Sequence, residues 1–375
     1  MTDEPDEEML SWDESVFRNE HVFEIDYVPE TFIHRESQME SLKYALKPAV
    51  RGSRPLNVMA QGPPGTGKTT SVQILFDELR ARTDVKAVRV NCQVNSTRYA
   101  IFSRLFEEVF DYEPPASGIS FKKLFSQVTD RLVESDEVLI VALDDINYLF
   151  YESEASDTLY SLLRAHEEQG GAKIGVIVIS SDLDMDILEE LDGRVQSVFR
   201  PEDIYFPKYD EPEIAEILQE RANRGFHDDV VTMPVLDRVA ELTAEQGGDL
   251  RVGIDLLRRA GMKAEMRASR TVEIEDVEEA YENSKYVHLS RRLQELSDSE
   301  TALVEVIAEH SGEQAGEIYD RFHEQTDLGY TRYSEIINKL DQLGIIDASY
   351  TDVEGRGRSR ELCLNYDAEA VTDRL

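Results

Sequence analysis

The feature that most constrains this chain is the segment Gly62-Pro-Pro-Gly-Thr-Gly-Lys-Thr69. It fits the pattern G-x-x-x-x-G-K-[ST], in which glycines let successive backbone amides turn inward and form a nest for an anion. The apolar stretch from Leu56 to Ala60 predicts a strand before the loop, and a helix is predicted from about Lys68 to Arg80. Because the positive end of that helix would point at bound phosphates, the segment predicts a nucleotide-binding site.

The chemistry of this loop assigns its side chains distinct roles toward ATP or ADP. The Lys68 ammonium would reach the β- and γ-phosphates, and the Thr69 hydroxyl would ligate Mg²⁺. The nucleotide-binding residues predicted from the loop are Gly62, Pro63, Pro64, Gly65, Thr66, Gly67, Lys68, Thr69 and Thr70.

A second motif, residues 138–145, is a continuous apolar run that ends in two carboxylates. Such a run is typical of a strand buried on both faces of a parallel sheet, and acids at its carboxyl end emerge beside the phosphate site. Asp144 is predicted to hold Mg²⁺ through water, and Asp145 to activate the attacking water. The alternative is a pair of acids that cap the helix after Ile146.

Other apolar runs predict the rest of the sheet. Strands are expected at Val85–Cys92, Ile174–Ser180 and Ile204–Phe206, and the segments Arg98–Phe110 and Phe121–Val133 have helical periodicity. Alternating strands and helices indicate an α/β fold, with a parallel sheet covered by helices on both sides.

The pattern changes after Pro207, where the apolar strand runs stop. Three helices are predicted first, then a charged connector helix, and from Ser299 three helices followed by two short strands around Gly-Arg-Gly. That last order is typical of a winged helix-turn-helix. The predicted domains are a disordered acidic N-terminus (1–16), a P-loop ATPase domain (17–207), a helical lid domain (208–283), a connector helix (284–298) and a winged-helix DNA-binding domain (299–375).

Two features of the last domain predict contacts with DNA. Residues 331–343 form an amphipathic helix with Arg332, Tyr333 and Lys339 on its outer face, and we interpret it as a recognition helix for the major groove. The two short strands around Gly355-Arg-Gly-Arg-Ser-Arg360 would form the wing of this domain. In a strand, alternate side chains share one face, so three arginines of the wing would project together. These arginines are Arg356, Arg358 and Arg360.

A row of like charges is costly unless it meets an anion, which favours DNA phosphate or a narrow minor groove over the alternative of a solvated hairpin tip. The pair Lys122-Lys123 is a candidate second contact with DNA.

The charge of the chain is strongly acidic, with 77 Asp and Glu against 40 Lys and Arg and a net charge of −37. The acid is spread evenly along the chain, which favours adaptation to molar salt over a generally acidic solvated surface. At such salt the Debye length is about 3 Å, and self-repulsion is screened. Phosphate attraction through counterion release is then also weak, so DNA binding would depend on base contacts and shape.

Neither a membrane nor an oxidising compartment is predicted. No apolar run approaches the ~20 residues that span a bilayer. The N-terminus is acidic and has no apolar core, and the two cysteines, Cys92 and Cys363, are far apart. These features predict a cytoplasmic, nucleoid-associated protein without disulfides.

The order and spacing of these motifs resemble the archaeal origin-recognition and replication-initiator ATPases, AAA+ proteins related to the eukaryotic origin-recognition and cell-division-control initiators. The resemblance covers nearly the whole chain. It implies an AAA+ sheet with a helical lid, a helical insertion that includes residues 118–123, and an ATPase of a halophilic archaeon. It also implies a segment around adenine, which comprises Tyr27, Val28, Pro29, His34 and Arg35.

The resemblance assigns two further arginines. Arg194, in Leu191-Asp-Gly-Arg-Val, would be an arginine finger that acts on the nucleotide of a neighbouring subunit. Arg251, in Gly248-Asp-Leu-Arg, would be the sensor 2 residue at the γ-phosphate. Asp249 is a plausible N-cap, so Arg251 would lie in the first turn of a helix, where a cation opposes the dipole unless an anion is near.

Two departures from the family pattern concern hydrolysis. The family usually has Glu where Asp145 stands, and Asn at the sensor 1 position, where Ser180-Ser181 occurs and Ser181 takes the role. Asp is one methylene shorter than Glu, and serine offers one donor instead of the two of an amide. We therefore expect a weak ATPase that works as a nucleotide-held switch.

The function predicted first is an ATP-dependent initiator that binds double-stranded origin DNA, cooperates with other initiator subunits and loads the replicative helicase. A DNA-binding regulator of transcription or of its own promoter is the second hypothesis. A clamp-loader-type ATPase is the third, although such subunits end in a helical collar.

Overall fold

The computed structural model describes residues 15–30, 32–115, 119–168, 171–183, 185–294, 296–353 and 357–375. They form two compact units. One unit is Val28–Tyr209, and the other combines residues 15–27 with Asp210–Leu375.

The first unit is built on a five-stranded parallel sheet. In spatial order the strands are β2 (Lys86–Asn91), β3 (Val138–Asp144), β4 (Lys173–Ser180), β1 (Val58–Gln61) and β5 (Glu202–Tyr205). The helices are α1 (Glu36–Val50), α2 (Lys68–Arg82), α3 (Arg98–Phe110), α4 (Phe121–Ser135), α5 (Asn147–Tyr151), α6 (Ala155–Glu168), α7 (Ile187–Glu190) and α8 (Gly193–Gln196).

Alternate residues of β3 enter two separate hydrophobic cores. Leu139 and Leu143 pack with residues of α3, α4 and α6 on one face of the sheet. Val138 and Ile140 pack with residues of α1 and α2 on the other face. Burial on both faces explains why the strand is apolar at every position before Asp144. The predicted α/β architecture is confirmed.

The second unit begins with a short 3-10 helix, Glu20–Phe23, and continues after Asp210. Its helices are α9 (Glu211–Gly225), α10 (Met233–Glu245), α11 (Leu250–Met266), α12 (Ile274–Gln294), α13 (Asp298–Glu309), α14 (Ala315–Thr326), α15 (Tyr330–Gln342) and α16 (Ala368–Thr372). Its strands are β6 (Glu313–Gln314), β7 (Ile346–Val353) and β8 (Gly357–Leu364). Among the described residues, no helix is long and apolar enough to cross a membrane.

The segment from Val16 to Phe23 corrects the predicted domain boundaries, because it packs on the lid helices and not on the ATPase sheet. The Phe17 ring stacks on Phe226, with 4.8 Å between centroids, and Phe23 contacts both rings. A side chain at Gly225 would collide with Phe23, since its Cβ would lie 2.2 Å from the ring. Val16, predicted disordered, is buried, and residues 1–14 lie outside the described residues.

The predicted connector is the second half of α12, which runs unbroken from the lid. Its Arg292 joins the lid to the C-terminal part of the chain. The guanidinium donates to the Gln246 carbonyl at 2.9 Å and to the Tyr366 hydroxyl at 3.0 Å. Tyr366 in turn donates to the Gln246 side chain at 2.7 Å. Three segments far apart in sequence therefore share one buried polar cluster.

The C-terminal part contains the three predicted helices, α13–α15, followed by the two predicted strands, β7 and β8, and adds the short strand β6 after α13 and the short helix α16 at the end. A capping box of Ser297 and Glu300 starts α13. Strands β7 and β8 pair antiparallel from Ile346 opposite Leu364 to Val353 opposite Gly357, and β6 adds a short third strand. The helices and the sheet enclose a core of their own.

The structure contradicts the placement of Tyr333 on the outer face of the recognition helix α15. Its side chain is 0% exposed, on the same stripe as Ile336, Ile337 and Leu340. Positions three, four and seven residues apart share one helical face, so the stripe begins one turn earlier than predicted. The phenol is tolerated there because it donates to the Ala315 carbonyl at 2.6 Å.

We predict that Tyr333→Phe lowers the free energy of unfolding by about 1–3 kcal/mol, because the buried Ala315 carbonyl loses its donor. Tyr330→Phe, on the exposed first turn of the same helix, should change it by less than about 0.5 kcal/mol. Denaturation of the full chain in molar KCl, followed by circular dichroism at 222 nm, measures both. A loss below about 0.5 kcal/mol in Tyr333→Phe would show that the buried hydrogen bond does not stabilise the fold.

Candidate functional site

The phosphate loop connects β1 to α2 and depends on glycine at two positions. Gly62 has φ 153°, and a Cβ there would lie 2.2 Å from the Phe206 carbonyl oxygen. Gly67, the N-cap of α2, has φ 88°, and its Cβ would lie 2.9 Å from the Phe32 ring. Both positions combine a left-handed or related backbone with a close neighbour, so the loop can follow this path only with glycine.

Lys68 is the first residue of α2, and its side chain folds back over the loop. The residue is 4% exposed, and its ammonium donates to the carbonyls of Gly62 and Pro63, both at 2.7 Å. The cation therefore lies within the curve of the loop, where the pattern predicts bound phosphates.

Asp144, at the carboxyl end of β3, accepts two hydrogen bonds at its two oxygens. The Thr69 hydroxyl donates to Oδ1 at 3.0 Å, and the Arg89 guanidinium donates to Oδ2 at 3.1 Å. Burial raises the pKa of the carboxyl, the charge of Asp145 raises it further, and Arg89 and Thr69 act in the opposite direction. The capping alternative fails for Asp144, because its carboxylate joins β3 to the P-loop helix.

Asp145 follows the strand with φ 55°, in the left-handed region where Asp is tolerated better than most residues. The N-cap of α5 is Ile146, and no side chain caps that helix. Asp145 thus lies next to Asp144 at the carboxyl end of β3, and its role as the water-activating acid stays a prediction.

The sensor 1 segment lies at the same edge of the sheet. Ser180, the last residue of β4, pairs in register with Gln61, and β4 lies between β1 and β3. Its hydroxyl is engaged with the backbone of Asp182, donating to the carbonyl and accepting from the amide, both at 3.2 Å. Ser181 follows immediately and is less buried.

Arg35 was predicted only to lie near adenine, but its side chain bonds to the backbone of the phosphate loop. It is 2% exposed and donates to the carbonyls of Thr66 at 2.9 Å and Pro207 at 2.6 Å, as well as to that of His34. Its guanidinium carbon lies 3.6 Å from the centre of the Tyr209 ring. Arg35 therefore holds the phosphate loop from behind and fixes it to the segment after β5.

The remaining residues of the predicted adenine segment are divided between the units. Val28, Pro29 and His34 belong to the ATPase unit. Tyr27 belongs to the other, where the Arg221 guanidinium lies 4.5 Å from its ring centre. Their contact with adenine stays a prediction.

The two further arginines are each paired with acids. Arg194, in α8, donates to Asp157 at 2.6 Å and to Asp192 at 2.9 Å, and these hydrogen bonds raise its pKa. Arg251 lies in the first turn of α11, as predicted, and Asp249 is the N-cap. Asp249 also accepts from the Arg251 guanidinium at 2.6 Å, so an acid of the chain itself offsets the unfavourable dipole.

The residues predicted to contact DNA differ in their exposure and in whether an acidic residue pairs with them. Lys122 and Lys123 are exposed in the first turn of α4. Arg332 is exposed on α15 and pairs with Glu335 at 3.1 Å, while Lys339 donates to the buried Glu300 at 3.0 Å.

In the wing, Arg360 lies on β8 and donates to Asn338 of α15 at 2.7 Å, which ties the strand to the helix. Arg358 lies on the same strand, opposite Asp352. Arg356 lies outside the described residues.

Sequence reasoning missed Arg89 and the role of Arg35. Arg89 could have been noticed as a charged residue in the middle of the predicted strand Val85–Cys92. A charge at an interior strand position is costly unless an acid or acceptor pairs with it. No local pattern shows that Arg35 bonds to Thr66 and Pro207, which are distant in sequence.

Comparison with known proteins agrees with this geometry. A family model described as an AAA ATPase domain matches residues 31–179, and one described as a Cdc6 AAA+ ATPase-type lid domain matches residues 215–282. The P-loop site is accordingly the nucleotide site of an AAA+ ATPase, and the AAA+ fold with its lid is confirmed.

Two halophile proteins match along their whole length. The ORC1-type DNA replication protein 3 of Haloarcula marismortui is 79% identical over 375 residues, 100% of both chains. The ORC1-type DNA replication protein 6 of Halobacterium salinarum is 66% identical, again over 100% of both.

Solved structures give the same answer. The Aeropyrum pernix ORC1 protein, solved in complex with DNA, is 31% identical with a TM-score of 0.67, covering 96% of both chains. The Aeropyrum pernix ORC2 protein, in ADPNP and ADP complexes, is 24% identical, has a TM-score of 0.74 and shares the fold over 96% of this chain and 98% of its own. The family expected from the motif order is confirmed: the chain belongs to the ORC1-type DNA replication proteins of archaea.

Proposed function

We propose that the chain is an ATP-dependent initiator that binds double-stranded DNA at a replication origin and promotes loading of the replicative helicase there. The ATP-dependent part of this proposal is carried by one observation, the Thr69–Asp144 hydrogen bond, which joins the P-loop helix α2 to the end of β3. The DNA-binding part is supported by a C-terminal region in which α15 and β8 carry arginines. The relative from Aeropyrum pernix, solved in complex with DNA, supports the DNA-binding part.

Mg²⁺ fits the oxygen atoms at this position. The Thr69 hydroxyl and the Asp144 carboxylate are hard oxygen donors on neighbouring elements, and Mg²⁺ binds through one or two such groups together with phosphates and waters. Bound there, Mg²⁺ would neutralise charge on the nucleotide phosphates. Lys68 would turn from the loop carbonyls to the phosphates, while Arg35 holds the loop backbone.

Slow hydrolysis is part of the proposal. Asp145 has a shorter reach than Glu, and Ser181 offers a single donor. Arg194 must first release Asp157 and Asp192 to act on the nucleotide of a neighbouring subunit. A site in which hydrolysis is slow for these reasons would keep ATP bound for a long time, and the protein would act as a nucleotide-dependent switch.

DNA binding in molar salt would rely on direct contacts. Arg332 on α15 would enter the major groove, with Arg356, Arg358 and Arg360 on the wing, and Lys122 and Lys123 would add a second contact. Arginine suits this task because its planar fork forms bidentate bonds with bases and phosphates.

Genome-wide occupancy in a halophilic host tests the initiator role. We expect binding sites clustered at replication origins, and co-purification of the replicative helicase with origin-bound protein. Sites scattered over promoters would instead favour the transcriptional regulator.

We predict that Arg35→Ala weakens ATP binding at least about tenfold, because the Thr66 carbonyl loses a charged donor and the loop loses its anchor. Arg51→Ala, at the exposed C-cap of α1, the helix that begins directly after Arg35, should leave ATP affinity unchanged. Titration with a fluorescent ATP analogue measures both, and thermal unfolding confirms that each variant is folded. Wild-type affinity in folded Arg35→Ala would contradict the anchoring role.

Asp145→Glu should accelerate single-turnover ATP hydrolysis at least about tenfold, since a well-placed general base contributes 10²–10⁴-fold. ATP affinity should stay the same, because Asp145 is not predicted to bind the nucleotide. Quench-flow or slow single-turnover assays give the rate. No acceleration would mean that the short side chain is not what limits hydrolysis.

Replacement of Arg356, Arg358 and Arg360 by alanine should weaken origin binding at least about tenfold in molar KCl. Joint replacement of Arg51, Arg82 and Arg374 by alanine removes three exposed cations outside the wing and serves as the charge control. Footprinting on origin fragments compares the variants. Unchanged protection by the triple variant would remove the wing from the DNA site.

A further inference from the structure

Arg89 is a charged residue on the edge strand β2, next to the predicted metal site. It lies between Ala87 and Asn91, which face the same side of the sheet. Ala87 is buried in the core that β2 shares with α2. Arg89 is 41% exposed in its side chain, and its guanidinium meets Asp144, whose side chain is 5% exposed.

The two oxygens of Asp144 have different partners. Oδ1 accepts from the Thr69 hydroxyl of the P-loop helix, and Oδ2 accepts from Arg89. Thr69 can keep this bond while its oxygen ligates a metal, because a hydroxyl donates through hydrogen and coordinates through a lone pair. Oδ2 is then the oxygen left for a metal-bound water, and Arg89 bonds to it.

The geometry of the contact between Arg89 and Asp144 allows the contact to break easily. One guanidinium nitrogen reaches one oxygen at 3.1 Å, which lacks the two parallel bonds of the strongest arginine–carboxylate pairs. The partial exposure of Arg89 lets its guanidinium return to water without unpacking the core. Asp144, in contrast, is buried and needs a cation or donor at all times.

We propose that Arg89 is a positioning residue that serves as a built-in counter-cation for Asp144. It occupies Oδ2 while the metal is absent and yields it when Mg²⁺ binds with the nucleotide. The proposal rests on the proposed Mg²⁺-nucleotide function of the site. Because a metal must displace a positive charge, Arg89 raises the Mg²⁺ concentration that the site requires.

The test is the Mg²⁺ dependence of nucleotide binding by the full chain. A fluorescent ADP analogue is titrated in EDTA and then across a series of free Mg²⁺ concentrations at constant ionic strength. Arg89→Ala should lower the Mg²⁺ concentration for half-maximal tightening about tenfold. Arg89→Lys, which keeps the charge, should stay within about threefold of wild type.

Arg82→Ala is the matched control, because Arg82 lies on α2, is 75% exposed and pairs with Glu78 away from Asp144. It removes the same net charge and should leave the Mg²⁺ dependence unchanged. Arg89→Gln replaces Arg89→Ala if the alanine variant does not fold, as judged by thermal unfolding in EDTA. The neutral amide should show the same lowered requirement.

An unchanged or raised Mg²⁺ requirement in folded Arg89→Ala or Arg89→Gln would overturn the counter-cation role. An equal shift in Arg82→Ala would also overturn it, since net charge alone would then be the cause. Failure of the wild type to bind the nucleotide with or without Mg²⁺ would instead overturn the proposed function of the site, and the role of Arg89 with it.

Discussion

The carboxylate of Asp144 joins the phosphate loop to the central sheet, and the predicted nucleotide site depends on that connection. It lies at the end of the most buried strand, and it bonds to Thr69 of the P-loop helix and to Arg89 of the edge strand. Two strands, β3 and β2, and the helix α2 thus meet at one charge. A buried carboxylate is costly without such partners, so the same interactions that fix the end of β3 also hold in place the two residues predicted to bind Mg²⁺, Thr69 and Asp144.

Arg35 supports this arrangement from the opposite side of the loop. Its guanidinium donates to the backbone carbonyls of His34, Thr66 and Pro207, and a tyrosine ring covers its face. Backbone partners do not depend on side-chain identity, so this anchor tolerates change in the residues around it. The second half of the loop is therefore held on two sides, by Arg35 at the Thr66 carbonyl and by Asp144 at the Thr69 hydroxyl.

Sequence reasoning succeeded where one element carries its own signal. The P-loop fixes a local backbone path, and the apolar run before Asp144 could only be a strand covered on both faces. The predictions were wrong where the position of a residue is set by a contact with a residue distant in sequence. Tyr333 has a polar end that suggested the surface, yet its hydroxyl finds the Ala315 carbonyl. Phe17 lies on the ATPase side in sequence, but Phe226 binds it to the lid.

The polar cluster of Gln246, Arg292 and Tyr366 has a consequence for anyone who divides this protein into pieces. A C-terminal fragment that starts at Ser297 would keep the Tyr366 hydroxyl but lose both of its partners. It would also lack Leu289 and Leu293, which belong to the same core as α13–α15, and would expose the core residues that pack on them. Gln246 follows α10, so a piece that retains every partner of this cluster must include the end of that lid helix. The lid and the C-terminal helices are therefore best cut and grafted as a single block.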